Sequence, residues 1–118
     1  MMNESKLNKI EDLIKNKKIN QAQLEISKLG PEFHKNINYL FLRSKIFYMN
    51  KLYYQALDAL LIATEFGEDA KIYDLISKIY KILGNEDLSK KISNPDTRLK
   101  AINTLKKEVT GISQKEES

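Results

Sequence analysis

The feature that most constrains this chain is an internal repeat. In five sets, positions recur at a separation of 34 and then 33 residues. The sets are Lys6, Leu40 and Tyr73; Ile10, Ser44 and Ser77; Leu13, Phe47 and Tyr80; Ile19, Tyr53 and Glu86; and Ala22, Ala56 and Ser89. A fixed period of about 20 to 50 residues is typical of arrays of one supersecondary unit. The sequence therefore predicts three units, at about residues 3–36, 37–69 and 70–94.

Each unit is predicted to be a pair of α-helices. Apolar residues recur at spacings of three and four, and the four glycines and two prolines lie between such stretches. The expected helices are 6–16, 19–29, 37–49, 53–66, 70–83 and 86–92. Asn94, Pro95 and Asp96 suit the start of a seventh helix, which we expect to end near Val109, with residues 111–118 as a frayed tail. The predicted fold is all-α, in one domain over residues 1–110.

The seventh helix is expected to cap the last unit, because three stacked hairpins leave an apolar flank at the end of the array. Its apolar residues would cover that flank and its basic residues would face water. The apolar set is Leu99, Ile102, Leu105 and Val109, and the basic set is Arg98, Lys100, Lys106 and Lys107. A free amphipathic helix that binds a membrane or a partner is the alternative.

Composition excludes several classes of function. The chain has no cysteine and a single histidine, His34, so disulfides, thiolate catalysis and multi-histidine metal sites are excluded. There is no apolar run of about 18 residues, and the first residues are too charged for a signal peptide. We expect a soluble, cytoplasmic protein. The net charge of +4 permits an acidic partner without requiring one.

The middle unit, residues 37–69, resembles the tetratricopeptide repeat, a 34-residue helix-turn-helix unit. Its matching residues are Leu40, Ser44, Phe47, Tyr53, Ala56, Leu60 and Ala63. The third unit agrees through Tyr73, Ser77, Tyr80 and Gly84-Asn85, and the first through Leu13, Ile19, Ala22 and Ile26. Lys6 and Ile10 depart from the family's pattern. The resemblance covers residues 3–94 and implies an α-solenoid of three hairpins.

The resemblance also implies a concave groove, lined by the first helix of each unit, that binds a protein or peptide. The groove residues would be Asn38, Phe41, Lys45, Tyr48 and Met49 in the middle unit; Lys71, Asp74, Lys78, Lys81 and Ile82 in the third; and Leu7, Glu11, Ile14 and Lys15 in the first. Such a surface suits a partner with apolar anchors and nearby acidic groups. Two simpler readings stay open: Phe41 and Tyr48 as core residues, and Lys71, Asp74 and Lys78 as a charge ladder within one helix.

Some members of that family clamp a terminal carboxylate with lysine and asparagine. This chain has Leu7, Glu11, Leu42 and Leu75 at the corresponding places, so we do not expect such a clamp. Catalysis is not expected either. The sequence has no glycine-rich phosphate loop, and His34 beside Pro31 and Phe33 suits a solvated loop. No cofactor or metal is predicted.

The leading hypothesis is a non-enzymatic adaptor or scaffold that binds a protein or peptide. Three alternatives are a dedicated bacterial chaperone for a secreted or filament subunit, a membrane-associated assembly component, and a basic helical nucleic-acid-binding protein. Basic residues lie on all predicted faces, which disfavours the last of these. Self-association through the apolar flank of the third unit is a further possibility.

Overall fold

The structure is a computed structural model that describes the backbone of residues 2–117 and the side chains of residues 4–108. Its helices are α1 (Met2–Lys15), α2 (Ile19–Ser27), α3 (Ile37–Met49), α4 (Tyr53–Ala63), α5 (Ala70–Ile82), α6 (Glu86–Ser93) and α7 (Arg98–Glu117). No strand occurs in the described part, so the all-α prediction is confirmed. The chain divides into two compact parts, which differ from the three repeat units of the sequence. The N-terminal part holds α1–α4 and the C-terminal part holds α5–α7.

The turns that join α1 to α2, α3 to α4 and α5 to α6 share one geometry. In each, one residue has a left-handed backbone: Lys17 (φ 59°), Lys51 (φ 61°) and Gly84 (φ 86°). The next amide donates to a carbonyl five residues earlier, in the pairs Lys18 to Leu13 (2.8 Å), Leu52 to Phe47 (2.9 Å) and Asn85 to Tyr80 (2.9 Å).

A second hydrogen bond completes the same pattern at all three turns. The left-handed residue donates its own N–H to the carbonyl three residues earlier, in the pairs Lys17 to Ile14 (3.0 Å), Lys51 to Tyr48 (3.0 Å) and Gly84 to Lys81 (3.1 Å). These two bonds define the Schellman motif, which satisfies the last carbonyls of a helix. The 34- and 33-residue spacing of the sequence is therefore repeated in the backbone of the turns.

Small residues occupy matching positions after each of these turns. Ala22, Ala56 and Ser89 are each the fourth residue of their helix, and they are 0%, 0% and 8% exposed. The helix pairs α1/α2, α3/α4 and α5/α6 are each in contact, and a small side chain permits close approach of two helices. In the N-terminal part α3 also contacts α1 and α2, and in the C-terminal part α6 contacts α7.

The segment between α2 and α3 is more ordered than the predicted loop. Residues Pro31–Phe33 form one turn of 3₁₀-helix, in which Phe33 donates its N–H to the Gly30 carbonyl at 3.1 Å. The Phe33 side chain is 1% exposed, and its ring lies 6.0 Å from that of Tyr39. This short turn therefore supplies a large core residue to the N-terminal part, α1–α4.

Two helices end two or three residues earlier than the sequence predicts. α2 ends at Ser27 instead of residue 29, and α4 ends at Ala63 instead of residue 66. The amide of Leu29 bonds to the carbonyl three residues back, that of Ile26, and Phe66 bonds in the same way to Ala63. Such three-residue bonds tighten the last turn of a helix and end its regular α geometry.

The boundaries of α7 also differ from the prediction. Asn94 caps a turn, because its Oδ1 accepts from the amide of Asp96 at 2.9 Å, and α7 begins only at Arg98. The helix runs to Glu117, past the expected end at Val109 and through residues 111–117 of the predicted frayed tail. No proline interrupts this stretch, and a single glycine weakens a helix by about 1 kcal/mol without ending it. The side chain of Val109 lies outside the described residues.

Arg98 was predicted to face water, but its side chain is half-buried. Its guanidinium carbon lies 4.6 Å from the centre of the Tyr73 ring. Its Nε donates to the Ile92 carbonyl at 3.1 Å and a terminal nitrogen donates to the Ser93 carbonyl at 3.0 Å. These are the last carbonyls of α6, which lack partners within that helix. Arg98 thus caps α6 with its side chain.

The apolar side of α7 is only partly as expected. Ile102 is 2% exposed and Leu105 is half-buried, which agrees with the predicted capping face. Leu99 was expected on the same face, but it is 50% exposed. Because Arg98 turns toward Tyr73 and the end of α6, the adjacent Leu99 points to another side of the helix.

Candidate functional site

Five of the predicted groove residues lie along one side of α3: Asn38, Phe41, Lys45, Tyr48 and Met49. Asn38, Phe41, Lys45 and Tyr48 follow one another at spacings of three and four residues, and Met49 is four residues after Lys45, which places them on neighbouring turns of the helix. Asn38 and Met49 are exposed, and the three between them are half-buried. Phe41 and Tyr48 are therefore neither fully in the core nor fully in water. We call this set the α3 face.

A cation and an aromatic ring lie together at the centre of the α3 face. The Lys45 Nζ is 5.7 Å from the centre of the Phe41 ring, one helical turn away. An ammonium over a ring at an exposed site is worth about 0.5–1 kcal/mol. The weak pairing leaves an apolar surface and a positive charge side by side, where a partner can contact both.

Tyr48 has a structural contact as well. Its ring lies 5.9 Å from that of Tyr53 on α4, at an interplanar angle of 62°. Its carbonyl accepts the Lys51 amide of the turn. Tyr53 is half-buried, and the adjacent Tyr54 is 70% exposed.

The three predicted lysines of α5 differ from one another. Lys71 is half-buried, and its Nζ lies 3.6 Å from a carboxylate oxygen of Asp69. Lys78 and Lys81 are exposed and line a cavity of about 480 Å³ along α5 and α6. Its other lining residues are Asp74, Ser77, Glu86, Ser89, Lys90 and Ser93. The cavity mixes both signs of charge, so it has less preference for an acidic ligand than the lysines alone suggest.

The groove residues predicted for the first unit need correction. Leu7 and Ile14 are 5% and 4% exposed, because α1 packs on α2 and α3 and buries its apolar side chains. They are core residues and cannot contact a partner. Glu11 and Lys15 are exposed and form an ion pair one turn apart, at 3.5 Å.

Glu25 on α2 has the clearest electrostatic shift in the described part of the chain. Its carboxylate lies 3.2 Å from Lys28 Nζ and 3.7 Å from Lys9 Nζ. The hydrogen bond from Lys28 lowers the pKa of Glu25 below its usual 4.5, against an opposing effect of desolvation, and the charges of Lys28 and Lys9 lower it further. The ion pair links α1 to α2.

His34 is exposed, and its ring stacks on Tyr39 with centres 6.2 Å apart. Among the side chains that the structure describes, no group of three or more histidine, aspartate or glutamate residues is arranged to hold a metal ion. Within the same residues, no helix combines the length and the apolar character required to cross a membrane. No family model matches the chain, and neither a curated protein nor a solved structure matches it significantly.

Proposed function

We propose that the chain is a non-enzymatic adaptor of tetratricopeptide type, which binds a protein or peptide partner through the first helices of its hairpins. The main support is the Schellman turn that recurs at Lys17, Lys51 and Gly84 with the repeat spacing of the sequence. Repeat arrays stack such hairpins into an α-solenoid with an extended binding surface. The stacking of all three hairpins is part of this proposal.

The α3 face is the proposed primary contact. An apolar side chain of the partner would pack on Phe41 and Met49, and an acidic group beside it would pair with Lys45. Interfaces commonly depend on a few aromatic anchors surrounded by weaker polar contacts. The half-burial of Phe41 and the Lys45 ammonium 5.7 Å from its ring are consistent with that arrangement. Lys71, Lys78 and Lys81 would provide further attraction to acidic groups.

The first experiment is a pull-down with the tagged chain, followed by native mass spectrometry of the complex. It identifies the partner and its stoichiometry together. A one-to-one complex with a subunit that aggregates alone would favour the chaperone alternative. Capture of DNA or RNA with a steep loss of affinity in salt would favour the nucleic-acid alternative.

Two pairs of variants then test the α3 face with the identified partner. Phe41→Ala is compared with Tyr54→Ala, an exposed aromatic on α4, and Lys45→Glu with Lys35→Glu, an exposed lysine before α3. We expect the α3 variants to weaken binding by about tenfold or more and the two controls to change it little. Circular dichroism checks that each variant is folded. Equal effects of the α3 variants and their controls would reject the α3 face as the binding site.

A further inference from the structure

A cavity of about 330 Å³ lies in the N-terminal part of the structure, on a different side of α3 from the α3 face. It is bounded by α2, the 3₁₀ turn region and α3. Its floor is apolar and largely buried, and its rim is polar and exposed. The floor consists of Ile26, Leu29, Tyr39, Ile46 and Phe47, and the rim consists of Gln23, Ser27, His34 and Arg43. An apolar pocket with a few polar groups at its edge is the usual form of a small-molecule site.

The charge of this cavity has one sign. Its lining includes one guanidinium, Arg43, and one imidazole, His34, and no carboxylate. The nearest acid along α2, Glu25, is already paired with Lys28 and Lys9. A negatively charged group is therefore the complement that the rim lacks.

The Arg43 guanidinium lies near an aromatic ring. Its guanidinium carbon lies 5.4 Å from the centre of the Phe47 ring, one helical turn further along α3. A cation–π contact with a ring does not use the in-plane N–H groups of a guanidinium, which can bind a carboxylate through two parallel hydrogen bonds. Among the described residues, no carboxylate forms a salt bridge with Arg43.

His34, on the same rim, also contacts an aromatic ring. Its ring stacks on Tyr39 at an interplanar angle of 29°. Tyr39 itself is 6% exposed and belongs to the floor. Arg43 and His34 thus each contact an aromatic ring that lines the same cavity.

We propose that this cavity binds a small carboxylic acid with an apolar body. The carboxylate would bind the Arg43 guanidinium, with His34 and Gln23 as further hydrogen-bond donors. The apolar body would lie on the floor of isoleucine, leucine and phenylalanine side chains. A volume of about 330 Å³ is at the small end of the range for ligand pockets, which suits an aryl or short alkyl acid. This site is separate from the α3 face and does not depend on the adaptor function.

The test is a titration followed by the backbone amide signals in nuclear magnetic resonance. The probe is hydrocinnamate, and its neutral amide, hydrocinnamamide, has nearly the same shape without the charge. We expect the acid to bind with a dissociation constant of about 1 mM or tighter and to shift amides of residues around the cavity. The amide should bind about tenfold more weakly, because it lacks the charge-assisted hydrogen bonds.

Substitutions at Arg43 and Lys35 then test which positive charge binds the carboxylate. Arg43→Gln should weaken binding of the acid by about tenfold, and Arg43→Lys by an intermediate factor, since lysine keeps the charge without the planar fork. Lys35→Gln removes a positive charge next to His34 but outside the cavity, and it should change the affinity by less than about twofold.

Equal affinity for the acid and the amide would overturn the proposal, and so would unchanged binding in Arg43→Gln. Absence of any shift at ~20 mM acid would do the same, since even a weak specific site would be occupied there. If Arg43→Gln fails to fold, the comparison of acid and amide on the unaltered chain still decides the result.

Discussion

The Ser77 hydroxyl on α5 donates a hydrogen bond to the Ser89 carbonyl on α6 at 2.8 Å, and the two hydroxyl oxygens lie 2.9 Å apart. Both residues are buried. They occupy the repeat positions of Ser44 and Ala56 in the preceding hairpin. There the Ser44 hydroxyl instead bonds to the Phe41 carbonyl of its own helix, at 2.6 Å. The polar link between α5 and α6 therefore distinguishes the third hairpin.

Replacing Ser77 by alanine should destabilise the chain by about 1–2 kcal/mol, because it leaves the buried Ser89 hydroxyl without its partner. Ser89→Ala should cost less, since the Ser77 hydroxyl keeps its bond to the residue 89 carbonyl. Urea unfolding followed by circular dichroism measures both. If Ser89→Ala cost more than Ser77→Ala, the carbonyl bond would not be the main contribution of the pair.

The left-handed lysines of the turns predict a stabilising substitution. Lys51 has φ 61°, a backbone region that is unfavourable for residues with a Cβ and neutral for glycine. Lys51→Gly should therefore raise the free energy of unfolding by about 0.5–1 kcal/mol, measured by urea titration. The gain is limited because glycine also increases the entropy of the unfolded chain.

Gly84 provides the opposite control in the equivalent turn. A Cβ added there would meet no atom within 4 Å, but φ is +86°. Gly84→Ala should thus destabilise the chain by about 1 kcal/mol through backbone strain alone. A stabilising Gly84→Ala, or a destabilising Lys51→Gly, would contradict the shared left-handed geometry.

These turns also show what the sequence could and could not predict. The end of α5 was predictable because Gly84-Asn85 is a common helix stop. Lys17 and Lys51 carry no such signal, since lysine has no preference for the left-handed region, so only the repeat spacing relates them to Gly84. The helices themselves follow from apolar periodicity, which their packing preserves.

Tertiary contacts account for the wrong predictions. The sequence Gly30-Pro31 before Phe33 indicates a loop, yet Phe33 is among the most buried side chains of the N-terminal part. Arg98 meets Tyr73, a residue 25 positions earlier, and local sequence gives no indication of that contact. On the α3 face, periodicity predicted which residues share a side of the helix, but the Lys45–Phe41 geometry came only from the structure.

Arg98 should contribute to stability through the end of α6. Arg98→Ala leaves the Ile92 and Ser93 carbonyls without their side-chain donor and removes the stack on Tyr73. We expect a loss of about 1–3 kcal/mol, of which Arg98→Lys should recover only a part. Lys100→Ala, an exposed residue of α7, is the control and should change stability little. Equal stability of Arg98→Ala and the unaltered chain would show that the cap is not formed.

The lowered pKa of Glu25 predicts a pH dependence with a defined sign. A carboxyl whose folded pKa is below its unfolded value stabilises the fold above the unfolded value, and that contribution is lost as pH falls through the folded pKa. The window for Glu25 therefore lies below about pH 4.5. In a carbon-13 carboxyl titration, Glu25 should show a midpoint below 4.5, and Lys28→Met should raise it. If the Glu25 midpoint were unchanged in Lys28→Met, the lowered pKa would have another cause than the Lys28 hydrogen bond.

One hairpin turn occurs three times in this chain, at Lys17, Lys51 and Gly84. Backbone chemical shifts and hydrogen exchange, measured in one nuclear magnetic resonance sample, report on all three turns together. We predict left-handed shifts at Lys17, Lys51 and Gly84 and slowed exchange of the Lys18, Leu52 and Asn85 amides, which donate the five-residue bonds. A right-handed or extended residue at any of the three positions, with a fast-exchanging amide after it, would show that the turn does not recur.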